Sequence, residues 1–345
     1  MWLENKVFAE DMGLIASAPF ISWEKLRGKT VLVTGATGLI GYALVSALLY
    51  RGISVLALVR DKERARIKFA AQLREGRPLS FSTGTVEGPG GIDGPVDYIV
   101  HCAAPTGSQY FVEHPVETIK TVVNGTGNML ELAREKCSLG MVFLSSMEVY
   151  GQVPDRTALT EARLGSLDLR LPRSSYPEAK RLAENLCVSY VSEYGVPAQT
   201  VRLAQTFGPG VDREDTRVFA YVVRCALDGR DVLLNTDGTK ESMYLYTADA
   251  ATAILTVLLS GKPGDIYNAA NEGTYSSVRK MARTGLDALG RSDLAVRINV
   301  EGQRTEGYRP PGCLYLDASA LKGLGWEAKF KLPDMFVRMA EGFRK

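Results

Sequence analysis

The sequence contains little histidine and no long apolar run. His101 and His114 are the only histidines among its 345 residues. A site that needs several imidazole groups is therefore not expected, and we predict no metal site. No uninterrupted apolar stretch approaches the ~18 residues that cross a bilayer. A basic segment followed by an apolar core, which would mark a signal peptide, is also missing at the start of the chain. These absences predict a cytoplasmic protein that does not associate with a membrane.

Cysteine and net charge exclude two further classes. The five cysteines form no Cys-x-x-Cys pair or Cys/His cluster, so we predict reduced core residues and neither a disulfide framework nor a zinc site. A net charge of +2 gives no electrostatic reason for a nucleic-acid partner. An apolar content of 46% and a charged content of 23% are ordinary for a globular protein.

A glycine-rich turn begins the folded part of the chain. The apolar run Thr30 to Val33 predicts a buried strand, and the apolar spacing of residues 42–50 predicts a helix. Between them lies a Gly-x-x-Gly-x-x-Gly turn, which is typical of the first βα unit of a dinucleotide-binding fold. In that fold the helix N-terminus binds the pyrophosphate. The predicted cofactor-binding residues here are Gly35, Thr37, Gly38, Leu39, Ile40 and Gly41.

The end of the second predicted strand, Val55 to Val59, bears on the choice of cofactor. Arg60 follows this strand directly, and an arginine at that place pairs with the 2′-phosphate of NADP. Asp61, one position later, keeps NAD open, because an acid there binds the ribose hydroxyls of NAD. We therefore expect NADP or NAD, with Arg60 favouring NADP.

Two later strands end in small or hydroxyl side chains. The run from Val96 leads into Ala103 and Ala104, whose small size suits the close passage of a cofactor. The run Met141 to Leu144 leads to Ser146, which we predict to orient a substrate alcohol. His101 is interpreted as a core or strand-end residue and not as a catalyst.

Tyr176 and Lys180 form the predicted catalytic pair. A helix begins at these residues, with Pro177 in its first turn, and a spacing of four places both side chains on one helix face. We expect the ammonium group to lower the phenol pKa, so that Tyr176 takes a proton from an alcohol while hydride leaves the same carbon.

These elements predict an α/β protein with a Rossmann-type, doubly wound parallel sheet and a smaller C-terminal α/β substrate lobe. Residues 1–28 precede the first strand as an N-terminal extension. The apolar residues within Met12 to Trp23 are expected to pack on the main body or on a partner subunit. Residues 29–206 form the predicted dinucleotide-binding domain, and residues 245–270 return to it. The remainder of 207–345 is the predicted substrate-binding lobe.

Four motifs together resemble one family. The glycine turn, Ser146 with Val149-Tyr150-Gly151, Tyr176-x-x-x-Lys180 and Arg202-x-x-x-Thr206-Phe207-Gly208-Pro209 resemble the extended short-chain dehydrogenase/reductases. Within them the chain is similar to the nucleotide-sugar epimerase/dehydratase group, over residues 29 to about 327. The segments that begin at His114 and at Arg173 look like those of the UDP-glucuronate decarboxylases.

The resemblance implies oxidation of a sugar C4 hydroxyl by bound NAD(P)⁺ to a 4-keto intermediate. Tyr176 would be the base, Lys180 its modulator and a ribose ligand, and Ser146 the orienting donor. Dehydratases commonly carry Asp-Glu after the hydroxyl residue, whereas this chain has Met147-Glu148. Glu148 alone fits decarboxylases and some dehydratases, and we count it among the catalytic residues. The family also implies a homodimer through paired helices, within residues 105–136 and 177–194.

The predicted substrate contacts depart from the family. Gln205 stands where an asparagine is usual, and Ser242 stands where an arginine for the diphosphate is usual. Arg217 and Arg309 remain as candidates to hold the diphosphate of a nucleotide-sugar bidentately.

Three hypotheses follow. The first is a nucleotide-sugar enzyme that acts through a 4-keto intermediate, either UDP-glucuronate decarboxylase-like or an epimerase or dehydratase. The second is a 4-ketoreductase of a nucleotide-sugar that consumes NADPH, which Arg60 supports. The third is a non-catalytic module that senses NADP, although such a module has no need of Tyr176 and Lys180 at catalytic spacing.

Overall fold

The computed structural model describes residues 2–153, 155–299 and 312–343. The strands within these ranges are β1 Thr30–Thr34, β2 Ser54–Val59, β3 Leu79–Thr83, β4 Tyr98–His101, β5 Gly140–Ser146, β6 Ala198–Leu203, β7 Gln205–Phe207, β8 Val232–Leu234, β9 Glu241–Tyr246, β10 Ile266–Ala269, β11 Asn271–Ser277 and β12 Val296–Ile298.

The α-helices of the described residues are α1 Lys6–Ala16, α2 Leu39–Tyr50, α3 Lys62–Lys68, α4 Ala70–Arg74, α5 Ser108–Glu113, α6 Pro115–Glu135, α7 Ser175–Tyr194, α8 Val218–Asp228, α9 Thr247–Ser260, α10 Val278–Ala288, α11 Ser319–Lys322 and α12 Leu332–Glu341. Short 3₁₀ helices span Trp23–Leu26, Met147–Tyr150 and Pro172–Ser174. None of these helices is both long and apolar enough to cross a membrane.

Seven strands form the main sheet, in the order β10-β6-β5-β4-β1-β2-β3. Every neighbouring pair is parallel. The order reverses between β1 and β4, and ligands of such sheets bind at that reversal, outside the carboxyl ends of the strands. This confirms the predicted Rossmann-type sheet.

Alternate side chains of the strands pack against helices on opposite faces of the main sheet. Val31 and Val33 of β1 belong to one apolar cluster, which includes residues of α1, α2 and α9. Leu32, between them, belongs to a second cluster with residues of α6 and α7. Successive side chains of a strand point to opposite faces, so a continuous apolar run is needed where both faces are covered.

The C-terminal half builds two small sheets beside the main one, in the orders β11-β9-β7 and β12-β8. Helix α10 packs against α8 and α12. Strand β10 nevertheless pairs with β6 at the edge of the main sheet. The chain therefore crosses from the small sheets back to the large one through α9, which contacts β5 and β6.

The N-terminal segment packs on the main body of its own chain. Helix α1 contacts α2 and α9. Asp11, which is 3% exposed, accepts hydrogen bonds from the Tyr246 hydroxyl at 2.6 Å and from Arg338 at 2.7 Å. The described residues of this segment therefore pack on their own chain, and a contact with a partner subunit stays a prediction.

Two local predictions differ from the structure. The sequence of residues 61–77 predicts one charged amphipathic helix. This prediction is wrong, because the chain breaks into α3 and α4 at Phe69. Phe69 is fully buried and its ring lies 5.0 Å from that of Tyr42. Strand β3 was not predicted. Its Ser and Thr side chains interrupt the apolar pattern that indicates a strand, although the segment pairs with β2 along five residues.

Candidate dinucleotide and catalytic site

Glycine is required at two positions of the turn between β1 and α2. Gly35 has a φ of 63°, and a Cβ there would lie 2.9 Å from the backbone nitrogen of Ala103. A Cβ on Gly41 would collide with the carbonyl group of Gly35. The turn thus brings the start of α2 against β1 and against the segment after β4, with no room for side chains between them.

The N-terminus of α2 fits the phosphates of a dinucleotide. Its N-cap is Gly38, which offers no side-chain acceptor to the first N–H groups of the helix, those of Leu39 and Ile40 among them. A cavity of about 190 Å³ lies beside this end of the helix, and its lining includes Gly38, Leu39 and Lys68. Lys68 donates to the carbonyl oxygen of Thr37 at 2.6 Å, so it adds a positive charge at the cavity. The sequence analysis missed Lys68, since it lies 31 residues beyond Thr37.

Arg60 and Asp61 differ in their surroundings at the end of β2. Both are exposed. The Asp61 carboxylate accepts the backbone N–H of Arg64 at 2.9 Å and caps α3. One oxygen of the Asp61 carboxylate is thus used as a helix cap, and the choice between Arg60 and Asp61 for the adenosine ribose stays a prediction.

A hydrogen-bonded link joins the ends of β1 and β4. The Thr34 hydroxyl lies 2.8 Å from Nδ1 of His101 and accepts the backbone N–H of Ala103 at 3.1 Å. Burial lowers the pKa of His101 to about 3, so this ring is neutral. The contact holds Ala103, and with it the adjoining Ala104, next to the glycine turn. Thr34 was not identified from the sequence.

Ser146, Tyr176 and Lys180 converge at the end of β5. The Ser146 hydroxyl accepts the backbone N–H of Glu148 at 3.2 Å and lies close enough to Tyr176 to lower the pKa of that phenol. The ammonium group of Lys180 lies 5.7 Å from the centre of the Tyr176 ring and donates to the Leu144 carbonyl oxygen at 2.5 Å. The structure therefore brings these three predicted residues together.

The expected lowering of the Tyr176 pKa is not found in this geometry. Burial is the largest effect and raises the pKa of Tyr176, and the charge of Glu148 raises it further. The nearby Ser146 hydroxyl and the charge of Arg173 lower the Tyr176 pKa in part. Burial also lowers the pKa of Lys180, to about 8. Desolvation outweighs the neighbouring lysine because both groups lie in the interior.

Glu148 faces the same site and is paired with an arginine that the sequence analysis did not assign. One nitrogen of Arg173 donates to both carboxylate oxygens of Glu148 at 2.8 Å. The neighbouring Met147 is buried, and its sulfur accepts a hydrogen bond from the Ser242 hydroxyl at 3.4 Å. The wall beside Glu148 is therefore neutral at the position where dehydratases have an aspartate.

The three predicted substrate-binding residues have different outcomes. Gln205 is the first residue of β7, an edge strand of the three-stranded sheet that pairs with its neighbour β9. Arg217 is the N-cap of α8, and its guanidinium group pairs with both oxygens of Asp215 at 2.6 to 3.1 Å. A diphosphate would have to compete with that carboxylate. Arg309 lies outside the described residues.

Within the described residues, no group of three or more His, Cys, Asp or Glu could hold a metal ion.

A doubly wound parallel sheet, a glycine turn and a Ser–Tyr–Lys set at the strand ends define an NAD(P)-dependent enzyme of the extended short-chain dehydrogenase/reductase type. Residues 31–270 match the family described as "NAD dependent epimerase/dehydratase family". The chain belongs to this family, whose members modify nucleotide-sugars.

Known proteins support the same assignment. UDP-glucuronic acid decarboxylase 6 of Arabidopsis thaliana is 30% identical over 315 residues, which cover 91% of this chain and 88% of that protein. A dTDP-glucose 4,6-dehydratase from Streptomyces venezuelae superposes with a TM-score of 0.75 at 26% identity, covering 91% of this chain and 97% of that one. A UDP-glucuronic acid 4-epimerase from Bacillus cereus superposes with a TM-score of 0.76 at 19% identity, covering 91% and 99%.

Proposed function

We propose that this protein oxidises the C4 hydroxyl of a UDP-hexuronate with bound NAD(P)⁺ and releases the C6 carboxylate as CO₂. The observation that carries the proposal is that Tyr176 and Lys180 lie next to each other on α7, close to Ser146, Glu148 and the buried, neutral Met147 at the end of β5. Similarity to decarboxylases over most of the chain supports the choice of substrate.

The chain's own groups account for the first step. Tyr176, as phenolate, accepts the proton of the C4 hydroxyl, and Ser146 donates a hydrogen bond that orients the same oxygen. When bound, NAD(P)⁺ would supply the acceptor for the hydride that leaves C4 and, once reduced, the donor that restores it. Lys180 lies close enough to the Tyr176 ring to stabilise the phenolate by its charge.

The resulting ketone determines the second step. A C6 carboxylate two bonds from the C4 carbonyl is a β-keto acid, so the C5–C6 bond breaks and its electron pair moves toward the ketone oxygen as CO₂ leaves. C5 then takes up a proton, and reduction at C4 completes the cycle. Dehydration across C5–C6 would instead need an acid for a departing C6 hydroxyl, and Met147 is not one. Glu148, which is paired with Arg173, is the carboxylate on that side of the site.

Incubation with a panel of UDP-, CDP-, GDP- and dTDP-linked sugars tests this function, with the products identified by mass spectrometry. We expect UDP-glucuronate to lose the mass of CO₂. Loss of water from a neutral hexose would favour dehydration instead, and an unchanged mass with altered sugar signals would favour epimerisation. A gain of two hydrogens from a 4-keto sugar with added NADPH would favour the ketoreductase.

The exposed guanidinium group of Arg60 leads to a prediction about the cofactor. Arg60→Ala should weaken NADP binding about tenfold or more and leave NAD binding nearly unchanged, because only NADP carries a 2′-phosphate to pair with. Calorimetric titration of each dinucleotide measures both affinities, with Arg74→Ala, an exposed arginine on α4, as the control. An unchanged ratio of the two affinities would remove the argument for NADP.

We also propose a cytoplasmic homodimer that forms through α6 and α7. These helices pack against each other and expose apolar side chains, among them Ile119 at 44% and Leu182 at 50%. Apolar side chains on adjoining helices are typical of a buried interface. The five cysteines are free, which suits a reducing compartment.

A further inference from the structure

Arg173 makes a close ionic contact inside the candidate site. Its Nη2 lies 2.8 Å from both oxygens of Glu148, and the two side chains are only 13% and 17% exposed. Many other ion pairs of the described residues lie at the surface, such as that of Arg170, whose side chain is 89% exposed. A pair shielded from water is screened less, so each charge acts more strongly on its neighbours.

The guanidinium group of Arg173 is also linked to Tyr176, through the ring of Phe111. It lies over Phe111 of α5, 4.9 Å from the ring centre. Phe111 also stacks on Tyr176, whose ring is parallel to it within 7°, with the ring centres 4.2 Å apart. Arg173, Phe111 and Tyr176 therefore form a continuous stack. Arg173 contacts Glu148 directly and supports the Tyr176 ring through Phe111.

The charged and hydrogen-bonding groups around Tyr176 come from four parts of the chain. Glu148 belongs to the 3₁₀ helix Met147–Tyr150, and Arg173 to the 3₁₀ helix Pro172–Ser174. Ser146 is the last residue of β5, and Lys180 lies on α7, one helical turn after Tyr176. The negative charge of Glu148 opposes ionisation of the phenol, whereas the positive charge of Arg173 favours it.

We propose that Arg173 is a positioning residue that neutralises Glu148 beside Tyr176 and, through Phe111, holds the Tyr176 ring in place. The pair lets the site keep an ionised carboxylate next to the base without suppressing the ionisation of that base. The proposal depends on the proposed function only in taking Tyr176 as the base.

Replacement of Arg173 tests the charge part of the proposal. In Arg173→Gln the Glu148 charge is no longer balanced, so the ionisation midpoint of Tyr176 should rise by about one pKa unit. Arg173→Lys should restore most of the effect, and the double variant Arg173→Gln/Glu148→Gln should return the midpoint toward that of the wild type. Arg170→Gln, in the same segment but exposed, is the matched control.

The ionisation is followed without any sugar substrate, by NMR of NAD⁺-loaded protein labelled with ¹³Cζ-tyrosine. The Tyr176 resonance is assigned by its loss in Tyr176→Phe. An unchanged midpoint in Arg173→Gln would overturn the proposal. Since no sugar is present, this result does not depend on the substrate assignment.

A kinetic measurement with UDP-glucuronate gives the second readout. The acid limb of the pH profile for NADH formation in a single turnover should move upward in Arg173→Gln and remain in place in Phe111→Leu, which loses the stack but not the charge. A uniform loss at every pH in Arg173→Gln would show a merely structural role. If the wild type forms no NADH with UDP-glucuronate, the proposed function fails, and the NMR titration still decides the role of Arg173.

Discussion

Tyr176 carries the chemistry that we assign to this protein, and its surroundings oppose its ionisation. Burial and the charge of Glu148 both raise the pKa of the phenol. Lys180 is itself buried, and the same desolvation lowers the pKa of its ammonium group to about 8. The two members of a Tyr-x-x-x-Lys motif therefore cannot be understood from their spacing alone, because burial shifts both pKa values.

Loss of the Tyr176 hydroxyl should remove activity without removing the cofactor. In Tyr176→Phe the ring can still stack on Phe111, but no group remains to take the C4 proton, so we expect a fall in kcat of about 10²- to 10⁴-fold. Single-turnover absorbance at the NADH band measures the step, and calorimetry measures the retained affinity for the dinucleotide. Tyr194→Phe, at the exposed end of the same helix, is the control. Undiminished turnover in Tyr176→Phe would rule out this base.

The buried lysine leads to a prediction about stability and pH. The folded-state pKa of Lys180 is about 8, below its ordinary value of 10.5, so the unfolded chain binds this proton more tightly. Lys180→Met should therefore raise the free energy of unfolding at pH 7 by up to about 3 kcal/mol.

That difference should shrink as the pH rises from about 8 to 10.5, because wild-type Lys180 then loses its proton in the folded state and its burial no longer opposes folding. Urea unfolding of both proteins at several pH values measures the difference. A stability difference that is constant over this range would contradict the assigned burial of the charge.

At the scale of elements, a buried ion pair joins α7 to β6. Arg202 donates to the two carboxylate oxygens of Glu184 at 2.9 and 2.7 Å, and the side chains are only 2% and 5% exposed. Ser145, at the end of β5, donates to the same carboxylate at 2.5 Å. The contact thereby ties the helix that carries Tyr176 and Lys180 to two central strands.

Removal of one partner should be costly. Glu184→Gln leaves the Arg202 charge buried and unbalanced, so we expect a loss of about 3–5 kcal/mol in the free energy of unfolding. Chemical denaturation measures it. The matched control is Asp287→Asn, which breaks a pair with Arg283 whose side chains are 49% and 36% exposed. It should cost less than about 1 kcal/mol. Equal losses in the two variants would show that Glu184 does not fix α7 electrostatically.

At the scale of the whole molecule, the exposed apolar side chains of α6 and α7 distinguish a dimer from a monomer. Leu182→Glu places a charge in the proposed interface, so we expect the variant to elute as a monomer, with its mass measured by light scattering. Val337→Glu on α12 changes a comparably exposed residue, at 43%, outside that surface, and should leave the assembly unchanged. A wild-type protein that is already monomeric would end the proposal.

Sequence reasoning was most successful where the signal is local. The glycine spacing, the apolar run of β1 and the proline at the start of α7 each lie within a few residues, and each predicted its element. Strand β3 was missed because its alternation is weak and its pairing with β2 defines it. The long helix after β2 was predicted in one piece because only the packing of Phe69 against Tyr42 shows where it breaks.

The chain's own order of residues was enough to establish the α/β class, the dinucleotide turn and the spacing of Tyr176 with Lys180, since backbone geometry and side-chain periodicity act over short distances. Folding was needed to bring Lys68 to Thr37 and Arg173 to Glu148, and to anchor α1 through Asp11. These contacts join segments that are far apart along the chain, and the burial that shifts the pKa values of Tyr176 and Lys180 arises only when those segments close around the site.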